Sequence, residues 1–246
     1  MKQFYFLNGL PRCGNTLLST IINKNKNIKV TANSIIPDIV WNLCQQKNTG
    51  RFINFPDHKS FDNVINNVFN NYYQNWEANI IIDRAPWGTP GNLYVLKQIF
   101  KNRKFIILER PILEVLASFV KIEKPENIEY RCDELMVEEG IIGKNFWSIQ
   151  NLIKEKENYI MITYDKLVSN TKKEIQKIYN FLNIKADVDI NNLEQFKINE
   201  VSYDDTINGC ELHTIRVDSI KKIDYKIEDY LPTSVINKYR DIKIKL

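Results

Sequence analysis

At 246 residues, with 43% hydrophobic and 26% charged side chains and only eight glycines and eight prolines, the chain has a globular composition, which excludes the disordered and fibrous classes. Its formal charge of +4 is spread through polar helical stretches rather than gathered in a stripe, which argues against a nucleic-acid surface and suits a small anionic ligand. The four cysteines, Cys13, Cys44, Cys132 and Cys210, lack the paired spacing of a zinc site or a disulfide framework, so reduced thiols and no metal are expected.

The chain runs from Met1-Lys2 straight into a short apolar strand without the pattern of a signal peptide, and no apolar run approaches the roughly 18 residues of a membrane span. A cytoplasmic protein without a membrane partner is therefore expected. Gln3 to Asn8 is aromatic and β-favouring, the turn Gly9-Leu10-Pro11-Arg12-Cys13-Gly14 follows, and Leu17, Leu18, Ile21 and Ile22 then begin a helical period. Further strands are predicted at Ile28 to Thr31, Ile80 to Asp83, Phe105 to Leu108 and Tyr159 to Thr163, each a compact apolar run suited to a buried parallel sheet. Helices are predicted at about residues 37–47, 60–76, 91–101, 112–121, 133–155 and 170–182.

Strands alternating with helices imply βαβ units, hence an α/β three-layer sandwich with a central, mostly parallel sheet. Residues 1–246 are read as one domain, with 185–246 as irregular covering loops and a terminal helix. In such sheets ligands sit beyond the carboxyl ends of the strands, and those positions carry the chemistry here.

Gly9-x-x-x-x-Gly14-Asn15-Thr16 has the spacing and the strand-to-helix placement of the P-loop G-x-x-x-x-G-K-[ST], with Asn15 where the lysine belongs. Backbone N–H groups and the helix start can still cradle an anion, Thr16 offers a hydroxyl, and Arg12 supplies a planar cation for two phosphate or sulfate oxygens. Without its lysine the loop is poorly suited to a kinase or nucleotide hydrolase.

At these residues a resemblance appears. Leu10-Pro11-Arg12-Cys13-Gly14-Asn15-Thr16 resembles the 5′-phosphosulfate loop of sulfotransferases that use 3′-phosphoadenosine 5′-phosphosulfate (PAPS), typically P-[KR]-[ST]-G-[ST]-[ST]. Cys13 and Asn15 depart from its hydroxyl residues. The resemblance implies that Arg12, Cys13, Gly14, Asn15 and Thr16 hold the donor and that 3′-phosphoadenosine 5′-phosphate (PAP) is a product.

An arginine-proline pair before a helix is ordinary in isolation. In this context Arg110-Pro111, with Ser118 eight residues beyond the arginine, is similar to the family's R-x-P element and its serine, which bind the 3′-phosphate; the residue between Arg and Pro is missing. Tyr164-Asp165-Lys166-Leu167 resembles the Y-E-D-L segment whose tyrosine approaches the adenine, although Tyr164 could equally pack beneath the following helix. Leu212-His213-Thr214-Ile215-Arg216 resembles the late basic loop, which makes Arg216 a third donor contact; His213 reads as structural ahead of catalytic.

Sulfuryl transfer, by analogy with phosphoryl transfer, calls for positioning, charge stabilisation and deprotonation of the acceptor. Asp83-Arg84-Ala85-Pro86 resembles the E-K-S-P element of Golgi-type members, which makes Arg84 a cation on the sulfate or substrate side and Asp83 a candidate base. Asp38, after the second strand, and His58 are the other candidates. The function expected is transfer of a sulfuryl group from PAPS to a hydroxyl or amine on a small-molecule, carbohydrate or peptide acceptor. The alternatives are a P-loop-type small-molecule kinase and a catalytically degenerate nucleotide-binding module.

Overall fold

The computed structural model describes residues 2–217 and 220–245. In chain order the elements are β1 (Gln3–Gly9), α1 (Asn15–Asn23), β2 (Ile28–Val30), α2 (Ile36–Gln45), α3 (Gly50–Asn54), α4 (His58–Tyr72), β3 (Ile80–Arg84), α5 (Pro90–Ile99), β4 (Phe105–Glu109), α6 (Ile112–Glu123), α7 (Ile128–Met136), α8 (Ile141–Lys154), β5 (Tyr159–Thr163), α9 (Tyr164–Ser169), α10 (Thr171–Leu182), β6 (Lys197–Ile198), β7 (Val201–Ser202) and α11 (Thr233–Tyr239). The first five strands form one parallel sheet in the order β2-β3-β1-β4-β5, and β6 and β7 form a small antiparallel pair.

Strands buried on both faces need apolar side chains in both directions. Phe6, Leu7, Ile81, Ile82 and all of Phe105 to Leu108 accordingly have no contact with solvent. Phe6 packs against Phe69 of α4, Trp87 and Phe100, while its neighbour Tyr5 points to the opposite face and donates its hydroxyl to the Leu182 carbonyl at 2.8 Å. Alternation along one strand thus supplies cores to two helical layers. The expected three-layer α/β architecture is what the chain forms.

The helix predicted over 133–155 is two helices. Residues 137–140 break it because a Cβ on Gly140 would lie 2.3 Å from the Glu134 carbonyl oxygen, and one on Gly143 would lie 1.9 Å from that of Val137. The chain turns so tightly there that only glycine fits, and α8 starts afresh against β1. The short α3 went unpredicted, since five residues without a buried side chain carry no apolar period.

Strand order fixes the site. The chain moves from β1 outward to β2 and β3 on one side, then crosses to β4 and β5 on the other, so the topology reverses at β1. Register sets Leu7 beside Arg84 and Gly9 beside Leu108. The segments following β1, β3 and β4 therefore emerge side by side, in the crevice where open α/β sheets bind ligands. Among the described residues, no helix is long and apolar enough to cross a membrane.

Candidate active site

The loop after β1 is built around two left-handed backbone positions, Arg12 (φ 58°) and Gly14 (φ 90°). Only a few per cent of non-glycine residues adopt such a φ, and they persist where the surroundings impose it. Here the Cys13 side chain is fully buried, with its thiol against the Leu10 carbonyl, and burial pushes that thiol up to about 12. Asn15 also turns inward: its amide donates to the Leu10 carbonyl at 2.7 Å, and its Oδ1 would collide with any side chain at Gly9. The two residues that depart from the family's pattern therefore bury their side chains and support the loop from beneath, while Asn15 also lines the cavity beside the loop. What remains outward is backbone, Thr16 and Arg12. Helix α1 has no side-chain cap, so its first N–H groups face outward without an intrahelical acceptor.

Arg12 and Arg110 converge from two strand ends. The Nε of Arg12 donates to Ser118 Oγ at 3.2 Å, and its Nη1 donates to the Leu212 carbonyl. Burial is the main cause that lowers its pKa, and Arg110 adds to it. Arg110, only 4% exposed, donates to the Arg12 carbonyl at 3.1 Å, to Glu114 at 2.9 Å and to the Ile223 carbonyl at 3.0 Å. Its guanidinium lies 4.0 Å from the ring centre of Tyr164. The residues following β1, β4 and β5, together with Ser118 of α6, thus meet around one cavity of about 160 Å³, which Thr16, Thr214 and Arg216 also line. Tyr164 is buried, stacks on the Arg110 guanidinium and lines the cavity. Leu212, Ile215, Ile220, Lys221, Ile223 and Tyr225 line the same cavity, and the Leu212 and Ile223 carbonyl oxygens accept from the two arginines in the way an anion's oxygens would.

The other predicted residues lie apart from this cavity. Arg84 ends β3 and donates to the Ala32 carbonyl at 3.0 Å and to the Tyr203 hydroxyl at 2.9 Å; among the described residues it has no ion pair. Asp83 faces the core with no solvent exposure. Its carboxylate accepts from Ser34 at 2.9 Å, from Trp87 Nε1 at 2.9 Å and from the Tyr73 hydroxyl. Burial raises it to about 6 against the pull of those hydrogen bonds. Direct contact with an acceptor is closed to Asp83, and Ser34 is the one of its partners that is not itself buried. Asp38 is exposed on the first turn of α2, and His58 is exposed at the start of α4 with its ring against Phe52. Neither lines the cavity.

The buried Asp83 makes a testable contribution to stability. Its folded pKa, about 6, lies above the ordinary value of 3.8, so between those values the folded state holds a proton that the unfolded chain releases. Stability from this group is full below pH 4 and is lost as pH rises to 6. Comparing melting temperatures across that window, the wild type should fall relative to Asp83→Asn by an amount corresponding to roughly 3 kcal/mol. Parallel profiles would show that Asp83 does not titrate there.

With this geometry in view, comparison with known proteins places the chain. The profile described as "Sulfotransferase family" matches residues 5–188. The chain belongs to the sulfotransferase family. A Caenorhabditis briggsae protein provisionally described as a protein-tyrosine sulfotransferase is 21% identical over 252 residues, covering 91% of this chain and 85% of the relative. The sulfotransferase domain of the Synechococcus PCC 7002 olefin synthase superposes with a TM-score of 0.58 at 16% identity, covering 100% of this chain and 90% of that one. Mouse sulfotransferase SULT7A1, solved in complex with PAP, gives 0.55 at 13% identity over 97% and 82%. At these identities the superpositions establish a shared sulfotransferase fold.

The sequence reading missed one cluster. His213 stacks on Tyr203 with ring centres 3.8 Å apart and planes 2° from parallel, and its Nδ1 lies 2.6 Å from Asp205 Oδ1. Only the His213 half stood in a recognisable motif. Asp205 and Tyr203 lie in loop sequence without periodicity, where no pattern announces a contact.

Proposed function

We propose that this sulfotransferase uses PAPS as donor and transfers its sulfuryl group to a hydroxyl or amine acceptor. The observation that carries the reading is the convergence of Arg12 and Arg110 from adjacent strand ends, where Arg12 donates to Ser118 and Arg110 donates to the Arg12 carbonyl, because a nucleotide phosphorylated at both 5′ and 3′ positions needs two cationic sites close together. The relative solved with PAP supports it.

The donor set fits such a nucleotide. Backbone N–H groups from Cys13 to Thr16, the Thr16 hydroxyl and Arg12 would hold the 5′ end; Arg110 and Ser118 would hold the 3′-phosphate; Tyr164 offers a ring beside them, and Arg216 a cation. Bound there, PAPS supplies a sulfuryl group activated by its 5′-phosphate. Arg12 then stabilises the negative charge that grows on the 5′ side, an effect strengthened because the guanidinium is largely desolvated. Arg84, which has no ion pair among the described residues, would face the sulfuryl oxygens or the acceptor. Asp83 fixes the Ser34 loop and the Tyr73 ring, which border the acceptor side. A kinase would need a cation at position 15, and the Asn15 amide is spent inside the loop.

The test is PAP formation from PAPS over a panel of phenols, sugars, amines and tyrosine peptides. Acceptor-dependent release of PAP supports the reading. Transfer from ATP with magnesium, and none from PAPS, would replace it with the kinase. Transfer from neither would favour a binding module.

A further inference from the structure

We propose that His213, held by Asp205, is the general base of this site and takes its proton from a flat aromatic hydroxyl compound. The inference rests on the reading of the donor site above.

A base must be held in one orientation, must present an unshared lone pair and must lie beside the reacting group. Orientation comes from Asp205. One carboxylate oxygen faces His213 Nδ1 at 2.6 Å, and the other accepts the backbone N–H groups of Leu212 and His213, both at 2.9 Å. Ring and backbone are thus tied to the same carboxylate, and the stacked Tyr203 ring blocks the remaining rotation. With Nδ1–H donated to Asp205, the lone pair is left on Nε2, which has no hydrogen-bond partner among the described residues. This tautomer is the one a base requires.

Location follows from the neighbours on either side. The carbonyl of Leu212, one residue earlier, receives the Arg12 guanidinium, and the hydroxyl of Tyr203 receives Arg84 at 2.9 Å. His213 therefore stands between the donor-loop cation and the cation after β3. Charged and titratable groups around it are Asp205, Arg84, Arg12 and the stacked Tyr203. Burial first, and then the two arginines, lower its pKa against the opposing pull of Asp205. That lowering favours the neutral imidazole, the form able to accept a proton.

The acceptor class follows from the space beside the same tyrosine. Tyr203 and Asp204 border a cavity of about 440 Å³ whose other walls include Tyr72, Tyr73, Trp76 and Phe196. Two of its hydroxyls are committed: Ser34 donates to Asp83, and Thr31 accepts from the Arg84 backbone at 2.7 Å; Asn33, Asn199 and Ser202 also line it. Four aromatic walls suit the face of a flat ring, and the polar side chains beside them can reach its hydroxyl.

In the step, the acceptor O–H bond breaks and its proton passes to His213 Nε2. The acceptor oxygen bonds to sulfur, and the bond from sulfur to the 5′-phosphate oxygen breaks with its electron pair left on that oxygen, beside Arg12. The imidazolium afterwards returns its proton to water.

Two measurements test this. The first is nitrogen NMR of the imidazoles, tractable because the chain has only two histidines and His58→Gln assigns them. His213 is expected as the Nδ1–H tautomer at neutral pH with a pKa below the ordinary histidine value, and Asp205→Asn should disturb that tautomer. The second compares His213→Ala on tyramine, whose phenol is un-ionised at the assay pH, and on 4-nitrophenol at a pH where it is largely ionised and needs no base. Turnover should fall by about 100-fold or more with the first acceptor and only a few-fold with the second, and added imidazole should restore part of the first. The wild-type rate with tyramine should fall with acid as His213 protonates.

Equal losses on both acceptors, or an Nε2–H tautomer, would overturn the proposal. So would a wild type that binds PAP and transfers to sugars or amines but to neither phenol; that result leaves the donor reading standing. Failure to bind PAP at all would remove the donor reading and this proposal together.

Discussion

Replacing Arg12 by alanine is expected to lower turnover by on the order of 100-fold or more while leaving PAP bound within about ten-fold. The guanidinium is largely buried and meets no carboxylate among the described residues, so its charge is available to the phosphate oxygen that becomes more negative as the sulfuryl group departs. Fixed charge aimed at developing charge in a dry site typically contributes two to three orders of magnitude. Position 12 has a left-handed backbone, φ 58°, which alanine and lysine tolerate as poorly as arginine. Arg12→Lys therefore serves as the control, since it keeps a charge and the same backbone demand while losing the fork that also reaches Ser118. An intermediate rate for lysine, with a melting temperature shared by both variants, assigns the loss to charge. Equal PAP formation by Arg12→Ala and wild type would remove Arg12 from catalysis.

The second large effect is expected at Arg110. Arg110→Ala should reduce the preference for PAP over AMP by on the order of 100-fold, chiefly through weaker PAP binding, because a buried cation facing a phosphate typically contributes 2–5 kcal/mol to such a complex. The ratio is the quantity to read. Losing Arg110 also leaves Glu114 and Tyr164 without their partner, which would weaken both nucleotides through the fold, whereas only the 3′-phosphate distinguishes PAP from AMP. An unchanged ratio measured by calorimetry would take Arg110 away from the 3′ site.

Much of this site was legible because its parts hang on regular elements. Arg12 follows β1, Arg110 follows β4 and Tyr164 follows β5, each directly after an apolar run that reads as a buried strand, and a parallel sheet aligns such positions without further information. Ser118 was legible because eight residues along a helix return to nearly the same side. What sequence did not show was side-chain direction within the loop. Cys13 and Asn15 occupy positions that face ligand in a regular P-loop, but the left-handed turn at Arg12 and Gly14 lets both reach the Leu10 carbonyl underneath. Asp83 was one candidate base because Asp83-Arg84-Ala85-Pro86 resembles a family element at a strand end; its parity on β3 sends it into the core, where Tyr73 and Trp87 close over it. The His213–Asp205 pair lies in irregular chain between β7 and α11, where contacts follow from how the loop folds and not from any period.

Sulfuryl transfer by this chain requires a donor site for a nucleotide carrying both phosphates. Calorimetric titration of the full chain with PAP, AMP and ATP with magnesium tests this directly. Tight binding of PAP, with AMP and ATP-magnesium at least about 100-fold weaker, is the predicted result. Equal affinity for PAP and AMP, or preference for ATP-magnesium, would contradict it.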